Sequence, residues 1–264
     1  MAESINTTEN RQRRNVMKRT DLLQAVYDFW RPNRYGLKAF LINDGQKHPF
    51  AIICPGGAYG MVCSFMEGRP YAEALNRIGC HAFVVYYRVG KKARYPRPQE
   101  DLRQAIEDVM ARAEEWNLDT DSWSLWGSSA GGHLAASYCV EDRGPKPTAL
   151  ILTYPVVTMG EHTRVGSRKN LLGKDADQDM IDRLSVERHI TTDYPPVYVW
   201  NGTIDRIVEP VNSRMLEEAL ERTGVPHLAE EFEGVGHGVG LAKGTDAEVW
   251  FEHAIGFWKN RMSH

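Results

Sequence analysis

The segment WGSSAGGH, residues 126–133, decides how the rest of the sequence is interpreted. It begins at the end of the short apolar run WSLW and leads into the apolar run HLAASYCV, which predicts a strand, a sharp turn and a helix. Gly127, Ser129 and Gly131 form a G-x-S-x-G motif, whose glycines let two backbones approach closely. Such a turn exposes the Ser129 hydroxyl at the positive end of the helix, which predicts a nucleophilic serine. Ser128 does not fit this register, because the residues two positions to either side of it are not glycine; the alternative is a glycine-rich turn without chemistry.

Short apolar runs and longer amphipathic runs alternate on both sides of this segment. The predicted strands are 37–42, 50–54, 81–87, 122–126, 149–154, 196–201 and 228–232. The predicted helices are 68–78, 98–116, 131–141, 176–184, 210–223 and 245–262. Several strands are apolar along their whole length, which favours burial on both faces. The alternation therefore predicts an α/β fold with a mostly parallel, doubly wound sheet and helices on both faces.

Two segments fall outside this alternation. Residues 1–36 carry a charged run, RQRRNVMKR, which predicts a charged, solvated N-terminal arm. The region 156–195 is rich in Gly, Asp and Arg, and we expect a small insertion at the rim of the sheet instead of a large apolar lid. A single α/β domain is then predicted over residues 37–264, since no linker interrupts it.

The composition excludes several classes of protein. With 42% hydrophobic and 25% charged residues among 264, and four cysteines, the chain is not collagen-like, disordered or held together by disulfides. A net charge of −3 gives no argument for nucleic acid or membrane binding, and no run reaches the ~20 apolar residues of a membrane span. The cysteines form no CxxC pair and no zinc spacing, and the N-terminal residues lack an apolar signal-peptide core. We therefore expect a reduced, cytoplasmic protein without a metal or other cofactor, and a homo-oligomer stays open.

A nucleophilic serine needs a histidine base, and in triads built on this kind of turn the histidine comes late in the chain. The late histidines are His227, His237, His253 and His264. Only His237 lies in a flexible loop, GVGHGVG, directly after a predicted strand, where a base should be. The other three precede a strand, lie in the last predicted helix or end the chain. The alternative for His237 is a surface loop histidine.

The base in turn needs a carboxylate that orients it. Asp205 follows the predicted strand 196–201 and is the expected partner of His237 Nδ1. Asp193 is the second candidate, but it precedes that strand and would lie at the wrong end of the sheet. The alternative for Asp205 is a turn-forming aspartate.

Acyl transfer also needs hydrogen-bond donors for an oxyanion. The run CPGGAYG, residues 54–60, follows an early apolar strand, and the backbone N–H groups of Gly57, Ala58 and Ala130 are the candidate donors. A phosphate loop is not indicated, because GxGxxG and GxxxxGK[ST] are both absent, whereas a plain tight turn stays possible as the alternative. The candidate substrate contacts are Tyr59, Met61 and Trp200.

Three charged residues near this loop have a weaker claim to function. Arg88, Glu67 and Asp101 could form an ion-pair network behind the oxyanion loop, and we interpret such a network as structural.

Motifs over residues 48–260 resemble those of the α/β-hydrolase superfamily, and within it the small carbohydrate esterases often labelled acetyl xylan esterases. The matching motifs include PGGAYG, EGRPYAEALNRIG, YYRVG, YPRPQEDLRQAI, GSSAGGHLA, YPV, LSVERHIT, PPVYVW and GVGHGVGLA. The resemblance implies an α/β-hydrolase fold and an esterase that removes short acyl groups, typically acetyl, from sugars or oligosaccharides without a cofactor. The residues it implies are the triad Ser129, Asp205 and His237 and the oxyanion loop at Gly57 and Ala58. The sequence departs from the family at Ala58, often glycine, and at Asn201-Gly202, often His-Thr.

The expected partner is thus a small-molecule or oligosaccharide ester, and two other functions stay open. One is a serine peptidase resembling prolyl-oligopeptidase catalytic domains, although those usually carry a propeller or cap that 264 residues cannot contain. The other is a binding module that keeps the fold without catalysis. For the esterase, the bulky Tyr59 and Met61 predict a preference for acetyl over longer acyl chains, unless Tyr59 faces the core.

Overall fold

One eight-stranded sheet organises the part of the chain that the structure describes. This computed structural model describes residues 34–141 and 144–262 in full and residues 24–30 as backbone. The strands are β1 Gln24–Trp30, β2 Gly36–Ile42, β3 His48–Cys54, β4 His81–Tyr86, β5 Leu118–Ser128, β6 Ala149–Thr153, β7 Val197–Gly202 and β8 His227–Phe232. Their order is β1-β2-β4-β3-β5-β6-β7-β8; β1–β2 and β2–β4 are antiparallel and the other pairs are parallel.

The winding of the sheet reverses between β3 and β5. The chain runs from β3 outward to β4 and then crosses back to β5 on the other side of β3. The register brings Cys54, the last residue of β3, opposite Gly127 in β5. In open α/β sheets, ligands bind in the crevice outside the carboxyl ends of the strands at such a reversal. The loops that leave β3 and β5 therefore border the expected site.

Helices cover both faces of the sheet, as the sequence predicts. The helices are α1 Ser64–Glu67, α2 Arg69–Arg77, α3 Arg97–Met110, α4 Ser129–Glu141, α5 Val165–Leu171, α6 Gln178–Arg183, α7 Val211–Thr223 and α8 Trp250–Lys259, with 3₁₀ turns at Gly90–Lys92, Val186–Arg188 and Asp246–Val249. One apolar core joins α3, α4 and α7 to one face, and a second joins α2 and α8 to the other. In β5, Leu125 enters the first core and Trp126 the second, so the strand must be apolar on both sides. Within the described ranges, none of the helices combines the length and apolar content needed to cross a bilayer.

The observed elements confirm the predicted α/β fold, with one correction at its N-terminal side. Each predicted strand and helix overlaps an observed one. The predicted arm over residues 1–36, however, contains β1 at 24–30, which pairs antiparallel with β2, so the sheet starts before the boundary expected at 37. The stretch QAVYDFW has the composition of a strand, although it follows the charged run RQRRNVMKR. The rest of the arm, residues 1–23 and 31–33, lies outside the described residues.

The rim insertion at 156–195 is packed onto the domain. It contains α5, α6 and one 3₁₀ turn, and its apolar side chains join the core beside α4. The side-chain oxygen of Asn212, in α7, accepts from the N–H groups of Val157 and Thr158 at 3.0 and 3.3 Å. The backbone N–H of Tyr95 donates to the carbonyl of Leu171 at 3.0 Å. The backbone of the insertion is thus held by a side chain of α7 at its start and by the backbone of Tyr95 in its middle.

The first turn of α4 lies directly on the end of β3. A Cβ atom added to Gly131 would lie 2.0 Å from the carbonyl oxygen of Cys54 and 2.5 Å from that of Pro55. Because these are backbone atoms, they cannot turn aside as a flexible side chain could. Gly256, on the exposed side of α8, is the opposite case, since a Cβ atom there would meet nothing within 4 Å.

Alanine at these two helical glycines should change stability in opposite directions. Gly256→Ala is expected to raise the free energy of unfolding by about 0.5–1 kcal/mol, because alanine loses less conformational entropy in a helix. Gly131→Ala is expected to lower it by about 1–3 kcal/mol, because the added methyl group overpacks the contact with β3. Urea denaturation followed by tryptophan fluorescence measures both changes. Equal midpoints for the two variants would contradict this account of how α4 packs.

Candidate active site

The turn between β5 and α4 holds Ser129 in a left-handed conformation. Its φ is 52°, in a region that residues other than glycine rarely adopt. β5 ends at Ser128 and α4 begins at Ser129, so the chain changes direction within one residue. The carbonyl of Ser129 accepts from the N–H of Val156 at 3.0 Å, which fastens the turn to the start of the rim insertion. The serine therefore stands at the N-terminus of α4, the positive end of the helix.

The structure brings together the three side chains that the sequence singles out. His237 Nε2 lies 2.9 Å from Ser129 Oγ, and His237 Nδ1 lies 2.6 Å from Asp205 Oδ2. Asp205 follows β7 and His237 follows β8, so all three stand at the carboxyl edge of the sheet. The result is one continuous hydrogen-bonded chain from hydroxyl to imidazole to carboxylate.

Asp205 is fixed on both of its oxygens. Oδ1 accepts from the N–H groups of Ile207 and Val208 at 2.9 and 3.0 Å, which leaves Oδ2 for the histidine. The Asp205 side chain has 0% exposure, so water does not compete for these bonds. A carboxylate can only accept, so His237 Nδ1 carries a proton and Nε2 is left to accept from the serine hydroxyl. This is the tautomer that a general base requires.

The loop after β3 has three consecutive residues with positive φ: Gly57 at 126°, Ala58 at 53° and Tyr59 at 57°. A Cβ atom added to Gly57 would lie 2.3 Å from the carbonyl oxygen of Met61, so glycine is required there. The Asn170 side chain, in α5, donates to the carbonyl of Ala58 at 2.9 Å and holds the loop from the side of the rim insertion.

The predicted oxyanion donors face no competing partner. In the described part of the chain, the backbone N–H groups of Gly57, Ala58 and Ala130 donate to no protein acceptor. Ala130 directly follows Ser129 at the start of α4, where the first N–H groups of a helix have no partner within it. Such groups can stabilise a negative oxygen next to the serine.

The predicted substrate contacts are wrong for two of three residues. Tyr59 is buried, because its left-handed backbone turns the side chain into the core, where its hydroxyl donates to His133 Nδ1 at 2.7 Å. Trp200 is also buried, since it points from β7 into the second core and packs on Trp250 at 5.8 Å between ring centroids. Only Met61 is open to a substrate, at 58% exposure.

The predicted ion-pair network also needs correction. Arg88 pairs with Asp101, Nε to Oδ2 at 2.8 Å, and with Glu100 at 3.3 Å. Glu67 takes no part in it: its carboxylate accepts from the N–H of Gly56 at 2.7 Å and from the hydroxyl of Tyr154 at 2.8 Å. Burial raises the pKa of Glu67, against the opposing effect of these hydrogen bonds and of the nearby histidine.

Tyr154 is a site residue that sequence reasoning missed. Its ring lies edge-on to the imidazole of His237, with 4.7 Å between centroids, and its φ is 38°. The sequence signal for it is its place at the start of the YPV motif, directly after β6.

His133, four residues after the serine, is structural. Its Nδ1 accepts from the Tyr59 hydroxyl, and its Nε2 donates to the carbonyl of Leu184 at 2.8 Å. Burial lowers the pKa of His133 to about 4, so the ring is neutral near pH 7. With both nitrogens engaged, it cannot serve as the base.

One group of side chains within the described ranges has donor atoms close enough to hold a metal ion. Glu217, Glu221 and His227 place theirs within 4.8 Å of one another, on α7 and β8. The group includes none of the three side chains of the hydroxyl–imidazole–carboxylate chain.

Comparisons with known proteins agree with the observed fold. A model of the α/β-hydrolase fold family matches residues 53–241. An endo-1,4-β-xylanase B of Butyrivibrio fibrisolvens is 28% identical over 89% of this chain, and an acetylxylan esterase of Xylanibacter ruminicola is 31% identical over 75% of it. The matched regions span 41% of each of these two relatives, so the chain corresponds to about two fifths of their length.

A solved structure covers nearly the whole chain. The acetyl ester-xyloside bifunctional hydrolase of Caldicellulosiruptor lactoaceticus aligns with a TM-score of 0.82 and 27% identity, over 90% of this chain and 96% of that one. Since the family model also spans well over half of the sequence, this chain is a member of the α/β-hydrolase fold family.

Proposed function

We propose that this chain is a serine esterase that hydrolyses short-chain acyl esters, above all acetyl esters, of sugars or oligosaccharides. The observation that carries the proposal is the hydrogen-bonded chain from Ser129 through His237 to Asp205. The names of an acetylxylan esterase and an acetyl ester-xyloside hydrolase among its relatives support acetyl groups on sugars as the substrate class.

In the first half of the reaction, Ser129 Oγ attacks the ester carbonyl while His237 Nε2 takes its proton. The carbonyl oxygen becomes an oxyanion, which the N–H groups of Gly57, Ala58 and Ala130 stabilise. When the tetrahedral intermediate collapses, the C–O bond to the sugar breaks and His237 returns the proton to the leaving oxygen. The acyl group is then bound to the serine.

In the second half, water attacks the acyl-enzyme and His237 again takes the proton. The intermediate collapses to release the carboxylic acid and restore the Ser129 hydroxyl. Asp205 holds the imidazole in the required tautomer and stabilises the imidazolium that forms in each half.

The decisive test is covalent labelling of Ser129. A fluorophosphonate probe should modify this serine in the folded protein, and peptide mass spectrometry should locate the adduct. Ser129→Ala should abolish both labelling and the hydrolysis of p-nitrophenyl acetate, and Asp205→Asn should lower kcat by about 10⁴-fold because the wrong tautomer forms. Ser128→Ala is the matched control, because Ser128 directly precedes the nucleophile and its hydroxyl bonds to Thr153.

Two results would overturn the proposal. A folded protein that the probe does not label would point to a binding module. Turnover of an aminoacyl anilide faster than p-nitrophenyl acetate would point to a peptidase.

For the substrate class, acetate release from acetylated xylo-, manno- and gluco-oligosaccharides should exceed release from a simple alkyl acetate.

Acyl chain length should depend on Met61. Its Cγ would lie 2.9 Å from a Cβ added to Gly57, so the side chain stands against the oxyanion loop. Tyr59 faces the core and does not narrow the groove, so the expected preference rests on Met61: kcat/KM should fall from acetyl to butyryl to octanoyl p-nitrophenyl esters. Met61→Ala should raise the butyryl-to-acetyl ratio about 4-fold or more, since each buried CH₂ contributes about 0.8 kcal/mol. A wild-type optimum at six carbons or longer would contradict this.

The hydrogen bond from the Asn170 side chain to the Ala58 carbonyl should raise kcat/KM for ester hydrolysis. Asn170→Ala and Asn170→Asp both remove the donor, so the oxyanion loop is free to relax and kcat/KM should fall about 10-fold. Asn76→Ala is the matched control. The Asn76 amide also donates to backbone carbonyls, those of Phe40 and Cys80, but these lie outside the loops of the proposed site. Equal activity of the Asn170 and Asn76 variants would show that the rim insertion does not support the loop.

A further inference from the structure

Glu67 is a buried acid inside the candidate site that touches none of the reacting atoms. It ends the short helix α1 and is 3% exposed. Among the described residues, no lysine or arginine forms a salt bridge with it; its oxygens are instead taken by the Gly56 N–H and the Tyr154 hydroxyl. A buried carboxylate is costly unless its hydrogen bonds are well made, so its two partners indicate what it does.

The first partner belongs to the oxyanion loop. Gly56 directly precedes Gly57, and a Cβ atom added to Gly56 would lie 2.8 Å from Ser129 Cβ. The oxyanion loop therefore packs directly against Ser129 at Gly56. The Gly56 N–H donates to Glu67 Oε2 at 2.7 Å. This bond fixes the backbone directly before Gly57 and Ala58, which carry two of the proposed oxyanion donors.

The second partner belongs to the surroundings of the base. The Tyr154 ring packs on the His237 imidazole, and its hydroxyl accepts from the N–H of Gly240 at 3.2 Å. Gly240 ends the loop that carries His237, and its carbonyl accepts from Tyr71 at 3.2 Å and Trp250 at 3.1 Å. Tyr154 therefore both contacts the base and fastens the end of its loop.

We propose that Glu67 is a positioning residue that couples the oxyanion loop to the histidine loop, by accepting from Gly56 on one side and from Tyr154 on the other. This inference rests on the proposed esterase function. A single buried carboxylate then sets the separation between the donors that hold the oxyanion and the imidazole that moves the proton. Only a carboxylate accepts from both partners; a glutamine at 67 keeps the bond to Gly56 but turns an N–H toward the tyrosine hydroxyl.

Glu67→Gln and Tyr154→Phe test the coupling from its two ends. Each should lower kcat for p-nitrophenyl acetate by about 10- to 100-fold with KM changed less than about 3-fold, because binding is retained while alignment is lost. The double variant should be no slower than the slower single variant, since the exchange at Glu67 acts only through the hydroxyl that Tyr154→Phe removes. Tyr154→Phe keeps the ring against His237, and it carries the test by itself if Glu67→Gln does not fold.

Asp108→Asn is the matched control. Asp108 is also a buried carboxylate that accepts from a tyrosine, Tyr35, but it lies in α3, outside the loops that carry Ser129, Asp205 and His237. It should lower the thermal midpoint without lowering kcat of the folded protein. If Glu67→Gln and Tyr154→Phe also change only the midpoint, or if their effects add, the coupling is refuted. A wild-type protein that hydrolyses no ester would instead refute the proposed function, so the two failures are distinguishable.

Discussion

The positive φ of Ser129 is the constraint on which the rest of the site depends. A left-handed conformation costs a non-glycine residue of order 1 kcal/mol or more, so it persists only where the surroundings impose it. Here the surroundings are α4, whose residues from Ser129 to Cys139 are all buried, and the end of β3, which the first turn of α4 touches at Gly131. The packing of a central helix thus determines where one hydroxyl stands, and the loops after β3, β7 and β8 are built around that point.

Two kinds of contact then align the remaining groups. Asp205 is aligned locally, by N–H groups two and three residues further along its own loop. The oxyanion loop is aligned from a distance, by Asn170 in the rim insertion and by Glu67 in α1. The local contact forms whenever the loop folds, whereas the distant ones require the whole domain. The alignment of the oxyanion loop consequently depends more on the stability of the whole domain than the alignment of Asp205 does.

How much the sequence could predict follows from the same distinction. The strand–turn–helix at Ser129 is a local pattern, and strand order places Asp205 and His237 at the carboxyl edge, so these residues could be named in advance. The direction of the Tyr59 side chain could not be predicted, because it depends on a φ of 57°. The residue types of this loop do not indicate that a tyrosine adopts this conformation. The hydrogen bond between Glu67 and Tyr154 could not be predicted either, because these residues are 87 positions apart and meet only in the folded domain.

The anchoring of α5 has a consequence for how such a protein can diversify. Its inner side carries Asn170, bonded to the oxyanion loop, whereas Val165 at its start is 61% exposed. Residues on the outer side can therefore be exchanged without moving the donors, while the inner side tolerates little change. A library that randomises exposed positions of the insertion and keeps Asn170 would vary the surface beside the proposed site while the loop after β3 keeps its hydrogen bond.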